Sequence, residues 1–267
     1  MDRVRNKVVL VTGAARGMGR SHALRLAEEG ADLLLVDVCA DIDGIAYPLA
    51  RPADLESTAE AVRALGRRVV CAPVDTRDEQ ALEAFVDEGA QELGGLDAAV
   101  ANAGVLTAGT WETTSNEDWR VVLDVNLIGT RNTCRAAVPH LLRRGGGSLV
   151  LISSAAGIKG SPLTTPYTAS KHGVVGLCLA LANELAENFV RVNTVHPTGV
   201  PTGIGAPGLL EMLGGPKAGL AAIYQNALPV HMVEQIDVSN AVLWLVSDES
   251  RYVTGTQLKV DAGVTIR

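Results

Sequence analysis

Seven short apolar runs, KVVLVTG, ADLLLVDV, RRVVCAPVD, LDAAVANAG, GSLVLISS, VRVNTVHP and TQLKVDAG, recur along the chain with no regular polar alternation. A strand without a polar face is buried on both sides, which is the condition of a parallel sheet covered by helices. Longer segments with helical periodicity fit between them: Arg20 to Glu29, Glu79 to Glu92, Asn116 to Leu142 and Tyr167 to Glu187. The alternation predicts an α/β fold, a doubly wound parallel sheet with helices on both faces. With 47% hydrophobic residues among 267, one large core can form, and no repeat, low-complexity tract or Gly/Ser linker divides residues 1–267, so a single domain is expected.

The charge balance excludes some partners. A net charge of −7 with scattered basic residues gives no footprint for nucleic acid or an anionic membrane. No apolar run approaches the roughly 20 residues that span a bilayer, and the start MDRVRNKVVLVTG carries no signal-peptide pattern, so a cytoplasmic protein is expected. Cys39, Cys71, Cys134 and Cys178 lie far apart, without metal-ligand spacing, and read as reduced core thiols. The five histidines likewise show no ligand spacing and are assigned structural roles.

Two segments interrupt the rhythm. Residues 39–66 form a long passage with two prolines that becomes helical only near Ala53, with Leu55, Ala59 and Val62 on one face. Residues 197–220, PTGVPTGIGAPGLLEMLGGPKAGL, are rich in Gly and Pro and predict a mobile loop with one short helix, placed where a lid over a site would lie.

Gly13, Gly17 and Gly19 stand in TGAARGMGR, between an apolar run and a helical pattern. In a strand-turn-helix of this kind the glycines permit the turn, the approach of backbone to a phosphate, and close helix-strand packing, and the helix start then favours an anion. The next run ends at Asp37, where an acid holds both ribose hydroxyls of NAD and repels the 2′-phosphate of NADP. Arg16 could instead meet that phosphate. Asp37 decides the matter by like-charge repulsion, leaving Arg16 to reach toward the pyrophosphate or solvent. The expectation is a Rossmann-like fold with NAD as cofactor.

Tyr167 and Lys171 are four apart on a predicted helix and share a face. A phenol with a pKa of about 10 is a poor base at neutrality, and each unit of lowering takes about 1.4 kcal/mol of preferential stabilisation of the phenolate. A neighbouring ammonium can supply it, which would make Tyr167 a proton acceptor for an alcohol or a donor to a ketone.

TGAARGMG, ANAG at Ala101 to Gly104, VNLIG at Val125 to Gly129, ISS at Ile152 to Ser154, YTASK at Tyr167 to Lys171 and HPTGVPT at His196 to Thr202 resemble, in this order, the motifs of the short-chain dehydrogenase/reductase family over nearly the whole chain. The resemblance implies that Ser154, thirteen residues before Tyr167, orients the substrate oxygen, and that Asn126 holds a water relaying protons toward Lys171. Ser153 is the rival serine, but its side chain should point to the opposite face of the strand. Cofactor contacts are implied at Gly13, Arg16, Gly17, Met18, Gly19, Asp37, Tyr167 and Lys171. They are also implied at Asp75 and Thr76 near the adenine, Asn102 and Gly104 beneath the ribose, Pro197, and Thr202 at the nicotinamide carboxamide. Asn102 mainly braces the sheet in this family. Thr198 after Pro197 departs from the family's Pro-Gly pair and leaves that turn's geometry open.

GRSHALRLAEEGADLLLVDVCADI, YPLARPADL, KHGVVGL and NTVHPTGV are similar to the mycofactocin-associated, carveol-dehydrogenase-like branch. That likeness implies oxidation of a hydrophobic secondary alcohol to its ketone, with NAD held so tightly that it does not exchange, electrons leaving to a mycofactocin redox partner, and a homotetramer. Residues 39–66 are then expected to fold over the adenine end of the cofactor. Val105, Leu106 and the stretch from Ile204 to Leu213 are expected to select the alcohol. An ordinary, freely exchanging ketone reductase and a silent NAD-binding regulator are the alternatives.

Overall fold

The computed structural model describes residues 2–267. Strands β1 (Val8–Thr12), β2 (Asp32–Asp37), β3 (Val69–Pro73), β4 (Ala98–Ala101), β5 (Gly147–Ile152), β6 (Val190–Pro197) and β7 (Gln257–Val260) form one sheet in the order 3-2-1-4-5-6-7. Every pairing is parallel, from Val9 opposite Leu33 and Ala98 to Pro197 opposite Val260. The order reverses between β1 and β4, so the crevice at their carboxyl ends is where such a sheet takes a ligand.

Successive strand residues face opposite helical layers. Val9, Val11, Leu33, Leu35, Val100 and Val150 point to one side, packing on Leu26 of α1 (Gly17–Glu28), Val62 of α2 (Pro52–Ala64) and Val242 of α8 (Gln235–Val246). Val8, Leu10, Leu34, Ala99, Leu149 and Leu151 point to the other, against α3 (Glu79–Leu93), α5 (Gly129–Arg144) and α6 (Thr165–Glu184). The large side chains here are fully buried, each stabilising the fold by about 1.5–3 kcal/mol.

The helical pattern predicted over Asn116 to Leu142 is three elements: α4 (Asn116–Leu123), a π-helical turn at Asp124–Ile128, and α5. The helix predicted from Tyr167 to Glu187 begins at Thr165 and ends at Glu184. Residues 39–51 are irregular and α2 follows, close to the predicted start. The lid segment carries α7 (Leu209–Gly214) and a 3-10 helix at Ala218–Tyr224. Ile42 and its neighbours Val38, Ile45 and Leu49 form a third apolar cluster with Val105, Val121, Val122, Val125 and Tyr167. No helix among the described residues is long and apolar enough to cross a membrane.

Candidate active site

The glycine turn is cut to fit by contact as well as conformation. Gly17 has φ +55°, and a Cβ on Gly19 would stand 1.9 Å from the Gly13 carbonyl oxygen, so that position admits no side chain. Arg16 gives α1 no side-chain cap and the first turn holds no acid, so neither competes with an anion for the positive helix end. This is a cradle that fits a dinucleotide's diphosphate.

An open cleft of about 760 Å³ runs from this turn across the carboxyl ends of β1, β2 and β4. Its walls include Gly13, Arg16, Gly17, Met18 and Gly19 from the turn, together with Asp37, Asp75, Thr76, Asn102, Gly104 and Thr202. Of the other residues expected at the cofactor, Tyr167 and Lys171 stand beside this wall, and Pro197 is buried as the last residue of β6, at its carboxyl end. Ile42, Leu49 and Ala50 of the 39–66 segment, with Val38 just before it, also line the cleft. Of the residues expected to select substrate, Val105 and Ile204 line it as well, whereas Leu210 points to solvent.

Asp37 is buried at the end of β2, its carboxylate accepting from the amides of Ala15 (3.1 Å) and Cys39 (3.3 Å). Burial raises its pKa, opposed by those amides and the Arg16 guanidinium. Arg16 itself donates to the carbonyl of Gly203 at 3.1 Å, so it ties the glycine turn to the lid instead of reaching free into solvent. Asp75 is gripped by Arg77, with Nη2 to Oδ2 at 2.6 Å and Nε to Oδ2 at 2.9 Å, a pair that short-range sequence inspection could have noticed. Asn102 donates from its side-chain amide to the Thr12 carbonyl at 2.9 Å and from its backbone N–H to the Thr12 hydroxyl oxygen at 3.0 Å, bracing β4 on β1.

Beside the cleft, Asn126, Ser154, Tyr167 and Lys171 come together. Lys171 is buried on α6, its ammonium donating to the Ile152 carbonyl at 2.8 Å and lying 5.5 Å from the Tyr167 ring centroid. A Cβ placed on Gly104 would lie 3.6 Å from Lys171 Nζ and 3.3 Å from Asn126 Oδ1, so the bare Gly104 backbone borders both groups. Asn126 sits within the π-helical turn, accepts from Val105 N at 2.8 Å and donates to Val105 O at 2.9 Å. That ties the turn to the cleft wall. Ser154, two residues past the end of β5, is in extended backbone and caps a 3-10 turn at Ala155–Gly157, and its hydroxyl hydrogen-bonds with Tyr167. Ser153 points away and donates to the Lys171 carbonyl at 3.0 Å.

The electrostatics of this group differ from the sequence expectation. Burial raises the Tyr167 phenol, and only the Ser154 hydrogen bond works against that; burial lowers Lys171 to about 8. The ammonium lies over the ring and is held by Ile152, and its influence on the phenol is weaker than four-residue spacing alone suggests.

Two residues at the site escaped sequence reading. His196, read as structural, donates from Nδ1 to the Ser154 carbonyl at 2.7 Å, directly behind the serine. Tyr47, in the 39–66 segment, accepts from the Leu106 amide at 3.0 Å. For Tyr47 the sequence signal was only an aromatic residue amid Ile42, Ile45 and Leu49.

A doubly wound parallel sheet with a glycine-cradled helix start at its switch point, and a Ser-Tyr-Lys group at the same crevice, defines a dinucleotide-dependent dehydrogenase. The model of the family described as enoyl-(acyl carrier protein) reductase matches residues 13–265, and the chain belongs to the short-chain dehydrogenase/reductase family. It is 47% identical to (−)-trans-carveol dehydrogenase of Rhodococcus erythropolis over the whole of both chains. Among solved structures it is similar to carveol dehydrogenase from Mycobacterium avium in complex with NAD, with 46% identity, TM-score 0.94 and complete coverage of both chains. It is also similar to a short-chain dehydrogenase from Mycobacterium paratuberculosis bound to NAD, with 44% identity, TM-score 0.95 and coverage of 99% of this chain and 100% of that one.

Proposed function

We propose that this chain is an NAD-dependent dehydrogenase that interconverts a hydrophobic cyclic secondary alcohol of the carveol kind and its ketone. The observation that carries the reading is the convergence of Ser154, Tyr167 and Lys171 beside a cleft that begins at an uncapped helix start. The apolar wall at Val105 and Ile204 and the similarity to carveol dehydrogenases support the substrate class.

Gly17 to Gly19 and the start of α1 would hold the cofactor's diphosphate, and Asp37 the adenosine ribose hydroxyls. Asp75, Thr76 and Thr202 lie where they can contact its other parts. When bound, NAD supplies the hydride acceptor and the positive charge of its oxidised ring. The alcohol oxygen hydrogen-bonds to Ser154 and Tyr167, Tyr167 takes the proton, and Lys171 favours the phenolate. Asn126, in its π-helical turn, links this group to the protein interior and fits a role in carrying the proton onward from Lys171.

Residues 39–66 favour slow cofactor release, because Ile42, Leu49 and Ala50 close one side of the cleft and Arg16 joins the opposite side to the lid at Gly203. With NAD retained, electrons would leave through a partner such as mycofactocin. A homotetramer built on α5, α6 and the C-terminal strand, in the cytoplasm, completes the reading.

The experiment is to desalt the purified protein extensively, measure its NAD content, and add carveol with and without an artificial electron acceptor. Retained NAD with turnover only when the acceptor is present supports the whole reading. Empty protein that oxidises carveol with added NAD leaves an ordinary dehydrogenase and removes the retention. Binding of NAD without turnover of any cyclic alcohol or ketone would leave a silent regulator.

A further inference from the structure

Tyr47 joins the 39–66 segment to two places at once, Leu106 and the lid at Gly205. Its hydroxyl oxygen accepts from the amide of Leu106, in the segment that follows the cofactor-cleft wall at Gly104 and Val105. Its ring lies against the lid: a Cβ built on Gly205 would stand 3.2 Å from Tyr47 Cγ and 3.4 Å from Cδ1. Tyr47 is 9% exposed, and its phenol lies near the Arg16 guanidinium and the Tyr167 phenol. The phenol is pushed up to about 12 by burial, so it keeps its proton at any working pH. That proton has no acceptor among the described residues, and the hydroxyl remains able to donate to a ligand.

We propose that Tyr47 is a specificity-determining residue: it forms, with Leu106 and Gly205, the wall that closes the alcohol site, its ring packs against the hydrocarbon part of the bound substrate, and its hydroxyl anchors that ring on the Leu106 amide. This deepens the dehydrogenase reading and rests on it. The 39–66 segment then has two tasks on one strip of chain, with Ile42, Leu49 and Ala50 at the cofactor and Tyr47 at the substrate. Gly205 is part of the same device, since a residue with a side chain there would press on the ring.

The test uses the full-length protein with its bound or added NAD, and compares carveol with cyclohexanol in the presence of an artificial electron acceptor. Tyr47→Phe keeps the ring and loses the hydroxyl; Tyr47→Ala opens the wall; Gly205→Ala pushes the ring from the lid side and leaves Tyr47 intact. The ratio of kcat/KM for carveol to that for cyclohexanol should fall at least tenfold in Tyr47→Ala and about threefold in Tyr47→Phe and Gly205→Ala, mainly through KM for carveol. NADH affinity, read by fluorescence titration, should stay within about threefold. An unchanged ratio in all three variants, or equal losses for both alcohols together with lost NADH binding, would overturn the proposal and leave Tyr47 as a brace of the cofactor cleft. Should Tyr47→Ala not fold, the other two variants decide. Tyr167→Phe separates the two levels: if it turns over normally the dehydrogenase reading fails, whereas a dead Tyr167→Phe beside a Tyr47 series of unchanged selectivity sinks only the role of Tyr47.

Discussion

The ammonium of Lys171 lies 5.5 Å from the centre of the Tyr167 ring, in a position that is buried and held by the Ile152 carbonyl. A positive charge over the ring face favours phenolate, although burial of both groups works in the other direction. Replacing Lys171 by Met should therefore reduce kcat/KM for alcohol oxidation by about 10²–10⁴, the usual range for losing a general-base contribution. Lys171 loses its proton near about 8, so the wild-type pH profile should show a titration there that Lys171→Met lacks. Steady-state kinetics from pH 6 to 10 on both proteins checks this. A variant of near wild-type activity with the same profile would remove Lys171 from the chemistry.

His196 stands behind Ser154. Donation from Nδ1 to the Ser154 carbonyl at 2.7 Å holds the turn after β5 from which the serine hydroxyl projects, while Nε2 meets the Thr194 hydroxyl at 2.8 Å. The Ser154 carbonyl also accepts from Gly157 N at 2.9 Å, so removing the imidazole takes away one of two hydrogen bonds, at a net cost of about 0.5–1.5 kcal/mol. His196→Leu should lose about that much stability by chemical denaturation, with kcat falling about tenfold as Ser154 is released. His196→Asn, which can still donate, should recover part of kcat. If both variants lose stability and keep full kcat, His196 supports the sheet and has no part in positioning Ser154.

Asp37 is the residue that should tell the two nicotinamide cofactors apart. Its carboxylate faces the cleft while accepting from Ala15 and Cys39, and Arg16 is close enough to act on its pKa. Asp37→Asn keeps an acceptor oxygen and removes the charge that repels a 2′-phosphate. The ratio of kcat/KM for NADP to that for NAD should rise at least tenfold, with the gain lost again in the Arg16→Ala background. Competition between the two oxidised cofactors for apoprotein gives the same ratio if turnover is slow. An unaltered ratio would mean the ribose is held elsewhere.

The parallel sheet and its order of elements were legible because strands buried on both faces, such as β1 and β2, leave an uninterrupted apolar record in the sequence. The glycine turn and the Tyr167–Lys171 pair were legible for the same local reason: their geometry is set within a few residues. The π-helical turn at Asp124–Ile128 was not, because one wider turn barely disturbs the helical periodicity running through Asn116 to Leu142. Tyr47 was unreadable because its partners, Leu106 and Gly205, are distant in sequence and one of them contributes only a backbone amide. That β6 runs on through Pro197 to pair with Val260 was not legible either, because the motif does not reveal the register.

Acid should unfold the protein through His22, which lies between α1 and α8. It is fully buried, with Nδ1 against the Ser239 hydroxyl at 2.8 Å and no partner for Nε2. A second ring proton would have no acceptor, and burial lowers the pKa to about 3. The unfolded chain takes up that proton near pH 6.5, well before the folded one does. The folded pKa is the lower of the two, so this contribution is fully present above about pH 6.5 and is lost as pH falls toward about 3, at about 1.4 kcal/mol per pH unit. His22→Asn and His22→Leu bind no proton at that position. At fixed protein concentration, their unfolding free energies from urea titrations at pH 7, 6, 5 and 4 should fall less steeply than the wild-type values. The carboxylates contribute equally to all three proteins, so the difference in slope isolates His22, and parallel curves would show that acid acts elsewhere.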